Sequence, residues 1–263
     1  MEILGYIAAL FIGLSLGLTG SGGAILTVPI LVYLMHLNPV IAMAYSLFVV
    51  GTTSLVGSYK FYQKNLVSFR TALLFGLPSL VTVFLTRRFI VPAIPPEIAL
   101  INGFSITKEL VLMTLFAVVM IAAALSMIRK RKFPESQAIN QGANLPALVG
   151  QGVAVGLVSG LVGAGGGFLI IPALVLFSRL PMKMAVGTSL LIIAANSLFG
   201  FVGDIFVHKI DWQFLLTFTV LSVAGIFIGS SLSNQINGEK LKAAFGWFVL
   251  AMGVYIILKE VFL

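Results

Sequence analysis

The run Gly17-Leu18-Thr19-Gly20-Ser21-Gly22-Gly23 returns as Gly160-Leu161-Val162-Gly163-Ala164-Gly165-Gly166, with Gly167 directly after it. Each copy interrupts a long apolar stretch and leads into a short apolar run that carries a proline, Pro29 or Pro172. Glycine-interrupted segments at corresponding places in two halves of a membrane chain point to a solute-binding site. The halves align without a gap at a shift of 143. Gly13 meets Gly156, Gly17 meets Gly160, Pro29 meets Pro172, Ser46 meets Ser189, Ser54 meets Ser197 and Gly57 meets Gly200. Roughly a third of positions match over about 57 residues, which is the internal symmetry expected of repeat-built membrane folds.

Composition sets the solvent. The chain is 59% hydrophobic and 9% charged, with a mean hydropathy of +1.12. A water-soluble domain of 263 residues cannot bury that much apolar surface behind so few charges. Apolar segments fall at 3–19, 24–36, 39–62, 67–86 and 109–128, and again at 146–163, 167–179, 182–207, 211–233 and 241–263. The runs 24–36 and 167–179 reach only about 20 Å as helix, against a hydrocarbon core of about 30 Å. The net charge of +8 does not indicate nucleic acid. Much of it lies in Arg129-Lys130-Arg131-Lys132, a topology signal for the cytoplasmic side. The chain has no cysteine, which excludes disulfides and thiolate metal sites. Met1-Glu2-Ile3-Leu4 lacks the basic start of a cleaved signal, so the first apolar run is read as a mature helix.

These features predict an all-α polytopic membrane protein of two inverted repeats, each of five helical segments and each opening with a Gly-rich-tipped helical hairpin. Residues 1–128 form the first repeat, 129–145 a polar cytoplasmic linker and 146–263 the second. Charge placement puts equivalent turns on opposite faces: Lys60 and Lys64 inside, Arg179 and Lys183 inside, Asp204 to Asp211 outside. Both termini then lie on the extracytoplasmic side of a plasma membrane, with a prokaryotic inner membrane expected. Arg87-Arg88 falls on the outer side against this rule and is expected to snorkel to headgroups. The two hairpin tips are expected to approach each other near the membrane centre.

Backbone groups at membrane depth must be satisfied, so a Gly-rich break is tolerable only when buried in protein or lining a polar cavity. The short helices that follow would aim their N-termini, with free N–H groups and partial positive charge, at that cavity. Two such ends form an anion site that needs no buried lysine or arginine. The candidate binding residues are Gly20, Ser21, Gly22 and Gly23 at one tip and Gly163, Ala164, Gly165, Gly166 and Gly167 at the other. The next segment of each half adds Ser46, Thr53, Ser189 and Asn196. Plainer roles compete: a tight turn for the tips, and bonds to their own helix carbonyls for the hydroxyls. Gly13-x-x-x-Gly17 and Gly156-x-x-x-Gly160 read as helix-packing positions. Lys60, Lys64 and Arg70 either draw anions to the inner mouth or mark the inner side. The eight acidic residues all lie at or near segment ends, which disfavours a cation carrier. No catalytic cluster, metal set or cofactor motif is present, which disfavours an embedded enzyme.

At these residues the chain resembles the TauE/SafE family, also called the toluene sulfonate uptake permeases. The resemblance rests on the paired Gly-x-x-Gly-x-Gly-Gly breaks, on the prolines Pro29 and Pro172, and on the Ala-x-x-x-Ser runs Ala42 to Ser46 and Ala185 to Ser189. It implies a permease for sulfite or an organosulfonate, a small anionic substrate, in contact with membrane lipid. A passive anion channel is the alternative. The halves differ at Thr52 against Ala195 and at Tyr45 against Thr188, so the cavity is not expected to be chemically symmetric.

Overall fold

The computed structural model describes residues 2–19, 23–101, 104–128, 145–163, 166–176, 180–207, 209–232 and 238–262. In chain order the helices are α1 (Glu2–Thr19), α2 (Ala24–Pro29), α3 (Pro39–Gln63), α4 (Phe69–Leu85), α5 (Val91–Ala93), α6 (Lys108–Ile128), α7 (Leu145–Val162), α8 (Gly167–Leu176), α9 (Met182–Ile205), α10 (Trp212–Leu232) and α11 (Gly238–Phe262). Pro29 cannot donate to the helix ladder, and α2 widens after it into a π-helical turn over Ile30–Leu34. A second π turn, Thr86–Ile90, carries α4 on into α5. The apolar segment read from sequence ends at residue 86, but the run Phe89-Ile90-Val91 keeps the helix going to Ala93. A small antiparallel hairpin follows, β1 (Glu97–Ile101) with β2 (Phe104–Thr107).

Small residues decide how the helices approach. α3 and α9 form the centre and run antiparallel, with Gly51 against Leu198, Gly57 against Leu190 and Gly200 against Leu47. Their apolar windows are 72% and 67% buried, against 28% for Phe69–Ala93. α1 packs on α10 in parallel, and α4 on α7 in parallel. In both pairs a glycine meets bare backbone. A Cβ on Gly17 would sit 2.6 Å from the Ser230 nitrogen, and one on Gly156 would sit 2.5 Å from the Ser79 carbonyl oxygen. Gly13 faces the Ser222 carbonyl, and Gly225 and Gly229 face those of Leu10 and Leu14. Apolar transfer gives helices little reason to associate in lipid, so such close van der Waals contact holds them together.

Local bonds recur at the sequence shift of 143. The Ser68 N–H, at the start of α4, donates to Thr188 Oγ1 at 2.9 Å. The Asp211 N–H, at the start of α10, donates to Tyr45 Oη at 2.7 Å. Leu37 N–H bonds the Leu31 carbonyl, as Leu180 N–H bonds that of Leu174. Tyr45 and Thr188 thus do one job with different groups.

The outside of the bundle is apolar. Phe69, Leu73, Leu77, Val81 and Leu85 form an exposed stripe along α4, at the spacing of one helix face. Among the described residues, five helical stretches are long and apolar enough to cross a membrane: Pro39–Gln63, Phe69–Ala93, Lys108–Ser126, Lys183–Ile205 and Trp212–Leu232. Leu4–Leu18, Ala24–Leu34 and Pro146–Val162 are shorter. An apolar surface this continuous suits lipid rather than water. The fold is an all-α polytopic membrane protein.

Candidate functional site

Gly20, Ser21, Gly22, Ala164 and Gly165 lie outside the described residues. The flanks of both breaks are described. Gly23 is buried against α1, where a Cβ would stand 2.5 Å from the Ile12 carbonyl oxygen and 2.6 Å from the Leu16 nitrogen. Gly163 and Gly166 have φ of +70° and +68°, a left-handed conformation that L side chains adopt only at a cost. They turn the chain out of α7 and into α8, which opens at the buried Gly167. α2 and α8 are both too short to span, as the sequence indicates, and they touch each other.

The flanks of the two breaks stand at different depths. Gly17 lies on Ile226, whose side chain reaches Gly57 of α3. Gly163 lies on Met43 of the same helix. Met43 and Gly57 are separated by about 21 Å of helix rise. The described flanks of the breaks therefore sit toward opposite ends of α3, and the expected meeting near the centre is not seen in them.

Side chains of the next segments are buried but differently engaged. Thr53 donates its hydroxyl to the Val49 carbonyl at 2.6 Å, and Ser189 donates to that of Val186 at 2.8 Å. Asn196 donates from Nδ2 to Ser79 Oγ at 2.7 Å. Its Oδ1 has no hydrogen-bond partner in the structure, nor do the hydroxyls of Thr27, Ser46, Ser54, Ser159 and Ser197. A buried polar group left unmatched costs about 1–3 kcal/mol. These atoms lie on α2, α3, α7 and α9. Turning the Asn196 carboxamide over would let Oδ1 accept from Ser79 and free Nδ2 to donate.

The largest departure from the sequence reading is Arg87. Instead of snorkelling, it is fully buried, 3.5 Å from Asp204 at Nη1–Oδ2. The π turn that carries it packs between α7 and α9. A Cβ on Gly163 would collide with Arg87 Nη2, so the guanidinium rests against the second break. The notion of tips without a buried cation fails there. Arg88 does stay exposed and lies over the Phe206 ring at 5.6 Å. Asp204 closes α9, as placed from sequence, but it is buried. Ser79 was also missed. Its signal was its alignment at the same shift with Ser222, which donates to the Ala9 carbonyl at 3.1 Å.

The first break has a different neighbour. Lys60 Nζ donates to Ser230 Oγ at 2.6 Å and stands 4.5 Å over the Phe227 ring. It lines a groove of about 660 Å³ with Ser58, Tyr59, Gln63, Leu191 and Phe227.

Short half-helices opening at duplicated glycine breaks, inside an apolar all-helical bundle, define a polytopic membrane transporter. The family described as Sulfite exporter TauE/SafE matches residues 5–256, and the chain belongs to it. A "Probable membrane transporter protein" of Xylella fastidiosa (strain 9a5c) is 30% identical over 251 residues, covering 94% of this chain and 91% of that protein. The "Probable membrane transporter protein YunE" of Bacillus subtilis is 27% identical over 257 residues, covering 89% of each. The "Probable membrane transporter protein MJ0441" of Methanocaldococcus jannaschii is 35% identical over 117 residues, covering 42% of this chain and 44% of that protein. No solved structure matches the chain significantly. The family is one of transporters rather than enzymes. Its setting is lipid, and its substrate is a small molecule.

Proposed function

We propose that the chain is a secondary transporter that moves a small sulfur-containing anion, sulfite or an organosulfonate, across the plasma membrane by alternating access. The observation that carries this reading is the duplicated glycine break, each copy leading into a helix too short to span. The N-terminus of such a helix offers unsatisfied N–H groups and partial positive charge, which suits sulfonate or sulfite oxygens. Gly20–Gly23 and Gly163–Gly167 serve as two separate subsites, their described flanks toward opposite ends of α3, with Ser46, Thr53, Ser189 and Asn196 contributed by α3 and α9. Ser46 needs no rearrangement to donate, because its hydroxyl has no partner. Thr53 and Ser189 must first leave their own helix carbonyls.

Residues 1–128 and 146–263 act as two inverted halves joined by a cytoplasmic linker at 129–145, with both termini outside. The support is the exchange of packing partners: α1 lies along α10 as α7 lies along α4, and α1 and α7 hold corresponding places in the two halves. Purified protein in liposomes should accumulate sulfite, or a sulfonate such as methanesulfonate, against its gradient when a proton or sodium gradient is imposed. Equilibration without accumulation under either gradient would make the protein a channel. No flux of any sulfur anion would end the reading.

A further inference from the structure

We propose that Arg87 is a substrate ligand at the second break, and that Asp204 is its internal competitor, holding the guanidinium when no anion is bound. The inference rests on the anion-transport reading above and names the side chain that gives it charge selectivity.

The geometry of the pair is the first ground. A guanidinium carries five N–H donors. In a tight structural pair two of them meet one carboxylate in parallel bonds of about 2.7–2.9 Å. Here the approach is 3.5 Å, and Nε, Nη1 and Nη2 make no hydrogen bond in the structure. Arg87 is nonetheless 0% exposed. Removing an ion from water costs several kcal/mol unless geometry and hydrogen bonds compensate. A buried fork with its donors unused is a poor structural device and a good receptor for an oxyanion.

Position is the second ground. Nη2 rests against Gly163, where any side chain would displace it. The backbone then turns through Gly166 into α8, a helix of 10 residues. The N–H groups of Leu169 and Ile170 donate to the Gly166 carbonyl, which leaves those of Gly167 and Phe168 with no acceptor within the helix. An anion placed between the fork and that helix start accepts from both. The three oxygens of a sulfite or sulfonate suit donors arriving from two directions better than the two of a carboxylate. Asp204 reaches Arg87 from the end of α9, so substrate and carboxylate compete for one cation. An incoming monoanion replaces the carboxylate without adding net charge beside the guanidinium.

The test uses the full chain, purified and judged folded by circular dichroism and a single gel-filtration peak. Sodium sulfite and sodium methanesulfonate are titrated at constant ionic strength, with sodium chloride as the control. Asp204→Asn should tighten sulfite binding at least tenfold, because the competitor is neutral. Arg87→Lys keeps the charge but loses the fork and should weaken binding at least tenfold. The double variant R87Q/D204N leaves no uncompensated charge and so folds even where a single variant does not. It should show no sulfite response. Wild-type affinity in Asp204→Asn, or an undiminished response in the double variant, would overturn this inference and leave the transport reading standing. A folded wild-type protein that neither binds nor moves any sulfur anion would overturn both.

Discussion

The two glycine breaks have nearly the same sequence and quite different company. Beside the second stands Arg87, fully buried and charge-paired with Asp204. Beside the first stands Lys60, half-buried, bound to Ser230 and open to a groove. At the shift of 143, Arg87 corresponds to Ser230, so one half holds the cation where the other holds a hydroxyl. The cation beside the first break comes from α3, whereas Arg87 lies on the π turn that follows α4. The repeated glycine pattern comes with independently placed charges. In the transport reading proposed above, a solute would meet a desolvated, forked cation at the second break and a partly exposed one at the first.

Breaking this contrast most severely means removing each cation. Arg87→Ala removes the charge paired with the buried Asp204 carboxylate and should cost about 3–5 kcal/mol. Lys60→Ala loses a partly exposed bond and should cost about 1 kcal/mol or less. Thermal unfolding in detergent compares the two, and equal losses would erase the distinction. A smaller effect tests the turn that seats Arg87. Gly163→Ala forces a side chain into the left-handed region, at about 1–2 kcal/mol, and displaces the guanidinium; stability and sulfite flux should both fall. Gly150→Ala, whose Cβ meets nothing within 4 Å, should be neutral or stabilising by up to about 1 kcal/mol. Smallest is the pair Asn196 and Thr53, which correspond at the same shift. Asn196→Ala removes the bond between α9 and α4 and should cost about 0.5–1.5 kcal/mol together with flux. Thr53→Val removes only a bond to its own helix and should change stability by less than about 0.5 kcal/mol.

The frame of the fold was legible because it is written in local pattern. The glycine breaks, the short segments after them and the packing glycines Gly13, Gly17, Gly156 and Gly160 all show in spacing alone. The site was less legible because its charges are long-range. Arg87 looks like any basic residue at a helix end, and nothing near it in sequence names Asp204, which lies in the other half of the chain. Ser79 is silent for the same reason, since its partner Asn196 arrives from α9. The run Phe89-Ile90-Val91 was apolar enough to extend α4, but the arginines before it suggested a boundary.

The glycine seams have a mechanical corollary. α1 belongs to the first half in sequence yet is seated, backbone on backbone, along α10 of the second; α7 is seated likewise along α4. With no side chain between them to yield, each such couple is held as one beam. Under the alternating access proposed above, the moving pieces would be two composites, each stitched from both sequence halves.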